Sequence, residues 1–561
     1  MILAATTVLG GFLAFHDAQV SDEQVNLATA ALNRHDRGLF PHDPVYGSSN
    51  LWQLHTPVFQ GVLDLVLVPT AYEDPLLGFR VLAAAVIGVY LCSMYALLWR
   101  QCRSWSVAVF VAVLSTTVTY APGGSFWGIG PLATITPRGV CIAFAPLIFL
   151  GLLGSMGGRR DGEQPWRTVV IFACAGLLGN LHLPTGIHLT ILLAIAYLAA
   201  RRARPSSWPV ALGGLAAAAA GALPYTAYYV AIRSTVPLGE GAAGYVAARQ
   251  ALAAGGAELL YPDLLKQLVE WAPYVAALAI PAGAVLVRAG RFRLRHGALW
   301  LGVLVGGLTV GLGAHGLGQL HARAHDLAPE TLLAGAAALV MLPLYVLLAQ
   351  ALTNLFRVVR THRGLLRWVC FAAMVAWMLP ADNLHVARHG TYRAASSFMP
   401  PPRRPTRVRE LAERRQARAE RAAVGRWLRE HSDRGAVVLT DRAELRLAAR
   451  RSIPAAEADL DYYYRLAPGR LEAWRLRLRR QRRLLSQPVR PSDLVRFATA
   501  FARRRGLPPD TPVLAVVPAP LASPELNAWE VPSRGWGRFV RLYRVRVSEA
   551  PSTGPGTRAA P

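Results

Sequence analysis

The sequence predicts an α-helical polytopic membrane protein of about 11 transmembrane helices, followed by a small α/β domain. Three observations predict it. Of the 561 residues 53% are hydrophobic and the mean hydropathy is +0.30, too apolar for an ordinary soluble chain. Apolar runs close to the roughly 20 residues that span a bilayer recur through the first 380 positions. Beyond them the pattern turns to short alternating and amphipathic segments.

The runs are taken in order as Met1–Phe15, Gly78–Trp99, Trp105–Tyr120, Arg138–Ser155, Thr168–Leu181, Thr185–Ala200, Trp208–Ile232, Glu270–Val287, Gly297–Gly313, Pro329–Phe356 and Leu365–Pro380. The first lacks a basic n-region and a cleavage site, so it reads as an uncleaved helix. Pro57–Thr70 is apolar apart from Asp64 but too short to span, so it reads as interfacial or re-entrant.

Alternate loops carry Arg100 and Arg103; Arg159, Arg160 and Arg167; Arg201, Arg202 and Arg204; Arg288, Arg291, Arg293 and Arg295; and Arg357, Arg360, Arg363 and Arg367. By the positive-inside rule these loops are cytoplasmic, which puts the first loop, residues 16–77, outside. Parity puts the region after the eleventh helix outside as well. The localisation expected is a multi-pass protein of a bacterial cytoplasmic membrane with an extracytoplasmic C-terminal domain.

Four divisions follow: residues 1–380 in the membrane, a basic linker at 381–421, a small soluble α/β domain at 422–548 and a disordered tail at 549–561. In the third of these, Ala422–His431, Ala443–Arg450, Tyr462–Leu485 and Ser492–Arg505 read as helices. Gly435–Thr440, Pro512–Val517 and Arg538–Val547 read as strands. The segment holds no GxGxxG, phosphate loop or nucleophile elbow.

The formal charge is +27, and from Ala381 onward there are 36 Arg against 17 Asp plus Glu. Lys266 is the only Lys. That skew, with abundant Ala and Gly, reads as the usage of a GC-rich genome. With no zinc-finger spacing and no RNP motif, nucleic acid is not an expected partner. The five cysteines lie in or beside apolar runs, with no CxxC pair and no disulfide framework.

The chain's chemistry-bearing residues gather in Val20–Gln60, which holds Asp22, Glu23, Asp43, Tyr46, His35, His42 and His55. Ser21-Asp22-Glu23-Gln24 also reads as a helix start, with Ser21 as N-cap and Gln24 at the reciprocal position. Arg138, at the outer end of the fourth run, is either an anion-binding group or an arginine snorkelling from a helix end. His182, in Asn180–Gly186, is either a site wall or the cap of a tight helical hairpin. The segment 314–326 is read as a loop in which His321, His325 and Asp326 are candidate ligands for a divalent metal ion and Arg323 a candidate for pyrophosphate. A flexible polar loop is the plainer reading of it. The basic stretch Trp474–Arg483 suits anionic headgroups or a solvated helix face.

A first helix, the pair Asp22-Glu23 opening the first external loop, a short helix, a G-x-x-P-x-D-P-x-Y segment (Gly38–Tyr46) and a TP-x-F segment (Thr56–Phe59) together resemble the GT-C membrane glycosyltransferases. The protein O-mannosyltransferase and aminoarabinose-transferase type is meant. The C-terminal WLREH, GAVVLTD, SIPA, DYYYRL and AWRLRLRR segments look like the extracytoplasmic domain of bacterial members. The resemblance implies inverting transfer of a sugar from a polyprenyl-phosphate donor to a glycan, lipid or protein acceptor. Asp22 matches the family's catalytic acid and Glu23 is its neighbour. Asp43, Tyr46, His55, Arg138, His182 and Arg323 are then substrate-binding candidates. One departure stands out: Ala121–Pro137, where some relatives carry a second acid, contains no Asp or Glu. The rival expectation is a transporter, lipid-handling or scaffold protein without chemistry. Transporters, however, place polar residues at mid-membrane on broken helices, and no such repeat is visible.

Overall fold

The structure, a computed structural model, describes residues 21–47, 51–54, 56–70, 72–116, 129–130, 135–156, 164–233, 295–325, 339–359, 399–400, 406–460, 462–463, 467–486, 489–508, 510–522, 526, 529–532 and 536–545. The first, eighth and eleventh predicted spans lie outside them. The chain divides into two compact units. Unit 1 comprises Met1–Gln24, Thr56–Ser234 and Arg249–Ala395; unit 2 comprises Val25–His55, Thr235–Ala248 and Ser396–Pro561. The sequence placed the whole first loop with the membrane region, whereas the structure groups Val25–His55 with the C-terminal third.

Unit 1 is helical. Helix α1 (Asp22–His35) contributes only its first turn to it. Then come α2 (Pro57–Leu67), α3 (Pro75–Cys102), α4 (Trp105–Leu114), α5 (Pro137–Ala143), α6 (Ala145–Met156), α7 (Pro165–Gly179), α8 (Leu183–Ala200), α9 (Ser207–Arg233), α10 (Gly297–His325) and α11 (Met341–Val359). Among the described residues four stretches are long and apolar enough to cross a membrane: Pro75–Cys102, Pro137–Met156, Leu183–Ala200 and Ser207–Ala231. The last keeps most of its surface exposed, as a lipid-facing helix would. Helix α2 folds back on α3, with Phe59 against Phe79 at 6.3 Å, and shows Leu65 and Val68 to the outside. Helix α10 runs on to His325, so the segment 314–325, read from the sequence as a loop, is helical. Its Gly-rich opening is compatible with helix once neighbours pack on it: a Cβ at Gly306 would meet Ile195 of α8 at 2.8 Å.

Helices α7 and α9 approach closely enough to exclude a methyl group. A Cβ at Gly221 would lie 2.6 Å from the Ala173 carbonyl, and one at Gly214 would strike the Phe172 ring at 2.8 Å. Pro224 sits inside α9 and disturbs its ladder. The Asn180 amide repairs the break. Its Nδ2 donates to Gly221 O at 2.8 Å while its Oδ1 accepts from Tyr225 N–H at 2.8 Å, standing between two groups that would otherwise bond each other.

The Arg-bearing helix ends of unit 1 share one end of the bundle. Arg100 Nη2 donates to Leu153 O of α6 at 2.9 Å, and Arg295 Nη1 donates to Arg100 O at 3.0 Å. Gln350 of α11 accepts from Arg295 N–H at 2.8 Å and donates to its carbonyl at 3.0 Å. Ser155 and Thr168 hydroxyls bond at 3.0 Å, joining the end of α6 to the start of α7. The start of α10 packs on Ala199 beside Arg201. The first turns of α5 and α8 therefore lie at the opposite, Arg-poor end.

Unit 2 is built on a three-stranded sheet of order β1-β2-β3, from Val437–Leu439, Val513–Pro518 and Val540–Val545. Strands β1 and β2 are parallel, with Val437 opposite Val513; β2 and β3 are antiparallel, with Ala515 opposite Tyr543. Helices α12 (Thr406–His431), α13 (Ala443–Ala449), α14 (Leu471–Ser486) and α15 (Pro491–Arg505) accompany it. Helix α14 buries Leu471, Trp474, Leu478, Gln481 and Leu485, a stripe at helical spacing, and α15 buries Leu494, Ala498 and Phe501. Of these, Leu485, Leu494, Ala498 and Phe501 join Val437, Leu439, Val513, Ala515, Val517, Tyr543 and Val545 in one core. Arg451 closes the end of α12 by donating to Arg429 O at 3.0 Å, and its Nε reaches Ser432 Oγ at 3.0 Å.

Candidate functional site

In unit 1 the candidate residues converge at the start of α1. Ser21 Oγ accepts from Gln24 N–H at 3.2 Å and Gln24 Oε1 accepts from Ser21 N–H at 3.1 Å, a reciprocal capping box. The side chains of Asp22 and Glu23 are not used by this cap. Asp22 is exposed and Glu23 half-buried. Gln24 Nε2 reaches Ile135 O at 3.3 Å, which fastens the first turn of α1 beside the start of α5. There Thr136 Oγ1 accepts from Gly139 N–H at 3.3 Å and Pro137 occupies the first helical position, both favourable at a helix start. Arg138 follows at once. It is half-buried, and Glu23 is the charged group that acts on it. Two carboxylates and a guanidinium thus share the Arg-poor end of the bundle.

His182 caps α8. Its Nδ1 accepts from Thr185 N–H at 3.3 Å and lies 2.8 Å from Thr185 Oγ1. This is the hairpin cap that the sequence offered as one of two readings. The ring is half-buried at the same end of unit 1. His55 and Asp326, and the side chains of His321, Arg323 and His325, lie outside the described residues. Among the described residues no three His, Cys, Asp or Glu side chains converge as a metal site requires.

Asp43 and Tyr46 belong to unit 2, and there the structure gives them work that the sequence did not suggest. Arg446 is wholly buried between two carboxylates. Its Nη1 and Nη2 donate to Asp459 at 2.7 and 2.9 Å, and its Nε lies 2.8 Å from Asp43 Oδ2. The guanidinium sits 5.0 Å from the centre of the Tyr46 ring. Asp43 Oδ1 also accepts from Val45 and Tyr46 N–H at 2.9 and 3.2 Å, and Oδ2 from Ile453 N–H at 3.3 Å. The Tyr46 hydroxyl donates to Asn26 O at 3.0 Å and lies 3.3 Å from the Tyr462 hydroxyl. Burial by itself would weaken the charge on Arg446, but Asp43 and Asp459 outweigh it and hold the cation well above its ordinary range. Burial likewise pushes the Asp43 carboxyl up, with Arg446 opposing. The loop 25–47 is therefore bound to the C-terminal third through charges that are fully enclosed. Breaking such a pair by removing one partner costs about 3–5 kcal/mol.

Sequence reading missed Arg446 and Asp459, since neither sits in a motif and each looks like one more charge on a short helix or turn. The only hint was that Asp43 needed a partner if it was to be buried.

No family model and no curated protein sequence matches the chain. Among solved structures it is similar to the crystal structure of the Archaeoglobus fulgidus oligosaccharyltransferase in complex with zinc and sulfate. Identity is 13% and the TM-score 0.41, over 92% of this chain and 68% of that one.

Proposed function

We propose that the chain is a membrane glycosyltransferase of the GT-C type, moving a sugar from a polyprenyl-phosphate donor to an acceptor hydroxyl, with Asp22 as general base. The observation that carries this reading is the apposition of Asp22, Glu23 and Arg138 at the end of unit 1 opposite the Arg-rich helix ends. In the reaction the acceptor oxygen attacks the anomeric carbon while Asp22 takes its proton. The bond from that carbon to the phosphate oxygen breaks, and the polyprenyl phosphate leaves as an anion. Arg138 meets the departing charge, as a guanidinium suits phosphate. Glu23 orients Arg138. Attack from the face opposite the leaving group inverts the sugar.

In this reading the Arg-rich end faces the cytoplasm of a bacterial cell, the chain crosses the membrane about 11 times and the C-terminal domain is extracytoplasmic. His182 borders the reaction site. His55 and Arg323 contribute to substrate binding, and a divalent ion, if used, draws on His321, His325 and Asp326. Asp43 and Tyr46 act only by holding their loop. The acceptor is a glycan, a lipid or a protein.

Two observations favour a second reading, a non-catalytic transporter, lipid-handling or scaffold protein. The capping box gives Ser21–Gln24 a structural task, and Ala121–Pro137 offers no second acid. The deciding experiment reconstitutes the full chain with a panel of polyprenyl-phosphate-linked radiolabelled sugars and membrane acceptors. Asp22→Asn should abolish transfer with insertion and folding intact. Transfer that persists in the variant sinks the assignment of the base, and no transfer by the unaltered chain with any donor favours the second reading.

A further inference from the structure

Beside the buried ion pairs of unit 2, four basic side chains from three separate stretches of chain come together. His42 follows Pro41 in the first loop, and its backbone N–H is held by Ser452 Oγ at 3.1 Å. Arg470 closes the 3₁₀ turn Pro468–Arg470 that leads into α14. Arg477 lies about two turns further on, with Nη1 donating to Pro454 O at 3.3 Å. Arg505 is the last residue of α15, where the chain turns away at Gly506 in the left-handed region. All four are half-buried. Arg505 interacts electrostatically with Arg477 and Arg470, and His42 with Arg505.

Among the described residues the cluster is short of negative charge, and the guanidinium groups of Arg470 and Arg505 have neither hydrogen bond nor ion pair. The described acid that acts on Arg505 is Asp43, whose oxygens are already taken by Arg446 and three backbone N–H groups. The buried set of Asp43, Asp459 and Arg446 carries two negative charges and one positive. One further arginine would balance it, yet three stand around it. The two left over match the charge of a phosphate, roughly −1.5 to −2 at neutral pH, and the planar guanidinium fork suits its oxygens. Burial and the neighbouring arginines also hold Arg505 below its ordinary range, with Tyr463 and Asp43 opposing.

We propose that Arg470, Arg477 and Arg505, with His42, form an anion site in unit 2 that takes a phosphate group, either on a soluble phosphate compound or in a phospholipid headgroup. The site is separate from Asp22 and does not depend on the transfer reading.

The test uses the full chain. In detergent, calorimetric titration with sodium pyrophosphate at fixed ionic strength should show saturable binding, weakened at least about tenfold in Arg505→Gln and in Arg470→Gln. Arg482→Gln, which removes an arginine paired with Glu457 on the same helix, should bind as the unaltered chain does. If the phosphate belongs to a headgroup, pyrophosphate is inert, and nanodiscs containing phosphatidate raise the melting temperature of the unaltered chain over phosphatidylcholine discs while Arg505→Gln removes the rise. The proposal is overturned if neither pyrophosphate nor phosphatidate has an effect beyond chloride. It is equally overturned if both arginine variants respond like the unaltered chain, the arginines then serving only as counter-charge to Asp43 and Asp459.

Discussion

Two pairs of carboxylates in this chain meet opposite fates. Asp22 and Glu23 begin α1 in unit 1 with their side chains outside the capping box, exposed or half-buried beside Arg138. Asp43, with its distant partner Asp459, is enclosed in unit 2 and shares one arginine. The first pair lies beside Arg138, on which Glu23 acts electrostatically. The second has every oxygen committed. Being acidic and close to a membrane face does not make a side chain a catalyst. What marks the second pair is that the fold encloses it and commits its oxygens to one arginine and to backbone N–H groups.

The largest effect expected from this contrast is on rate. Asp22→Asn should lower sugar transfer by about 10²–10⁴-fold, the range of a lost general base, with melting unchanged. Next comes Arg446→Met, which strands two buried carboxylates and should cost about 3–5 kcal/mol, read as loss of unit 2 in chemical denaturation or as failure to accumulate. Asn180→Ala removes the amide that bridges Gly221 C=O and Tyr225 N–H, so α9 must either close that gap beside Pro224 or leave both groups unmatched, and the change should cost about 1–3 kcal/mol, measured as a lower midpoint of detergent-solubilised unfolding. Ser21→Ala removes only the cap, about 1 kcal/mol. A stability loss of that size in Asp22→Asn would place Asp22 with the cap rather than with the chemistry.

The smallest effect concerns pH. Burial, then Arg505, holds the His42 imidazole below its ordinary value. The unfolded chain therefore takes up a proton near pH ~6.5 that the folded chain refuses. Stability from this group is present above that pH and falls as the solution is acidified from pH 7.5 towards 6. His42→Gln should flatten the slope over that window in thermal melts.

Much of the fold was legible because it follows from periodicity. The apolar runs at Gly78–Trp99, Arg138–Ser155 and Thr185–Ala200 coincide with long helices, and their alternating Arg ends meet at one end of unit 1. In the C-terminal third β2, β3 and α15 fall within two residues of the segments read from the sequence, whereas α14 begins at Leu471 rather than at Tyr462. Less legible was anything decided by partners far away in sequence. Nothing local to Asp43 announces Arg446, 403 positions on, and nothing in Asn180 announces the gap beside Pro224 that it fills. The stretch 314–325 misled for a different reason: two glycines and three histidines look like a loop, yet the helix that starts at Gly297 runs through them.

The central claim is that the two carboxylate pairs divide chemistry from structure, and one paired measurement tests it. Asp22→Asn and Asp43→Asn are prepared in the full chain, and each is assayed for transfer from polyprenyl-phosphate-linked sugar and for its melting temperature in the same detergent. The account predicts that Asp22→Asn melts like the unaltered chain and transfers nothing. Asp43→Asn should melt several degrees lower and keep its transfer rate per folded molecule. The reverse pattern, with Asp22→Asn active and Asp43→Asn folded but inert, would contradict it.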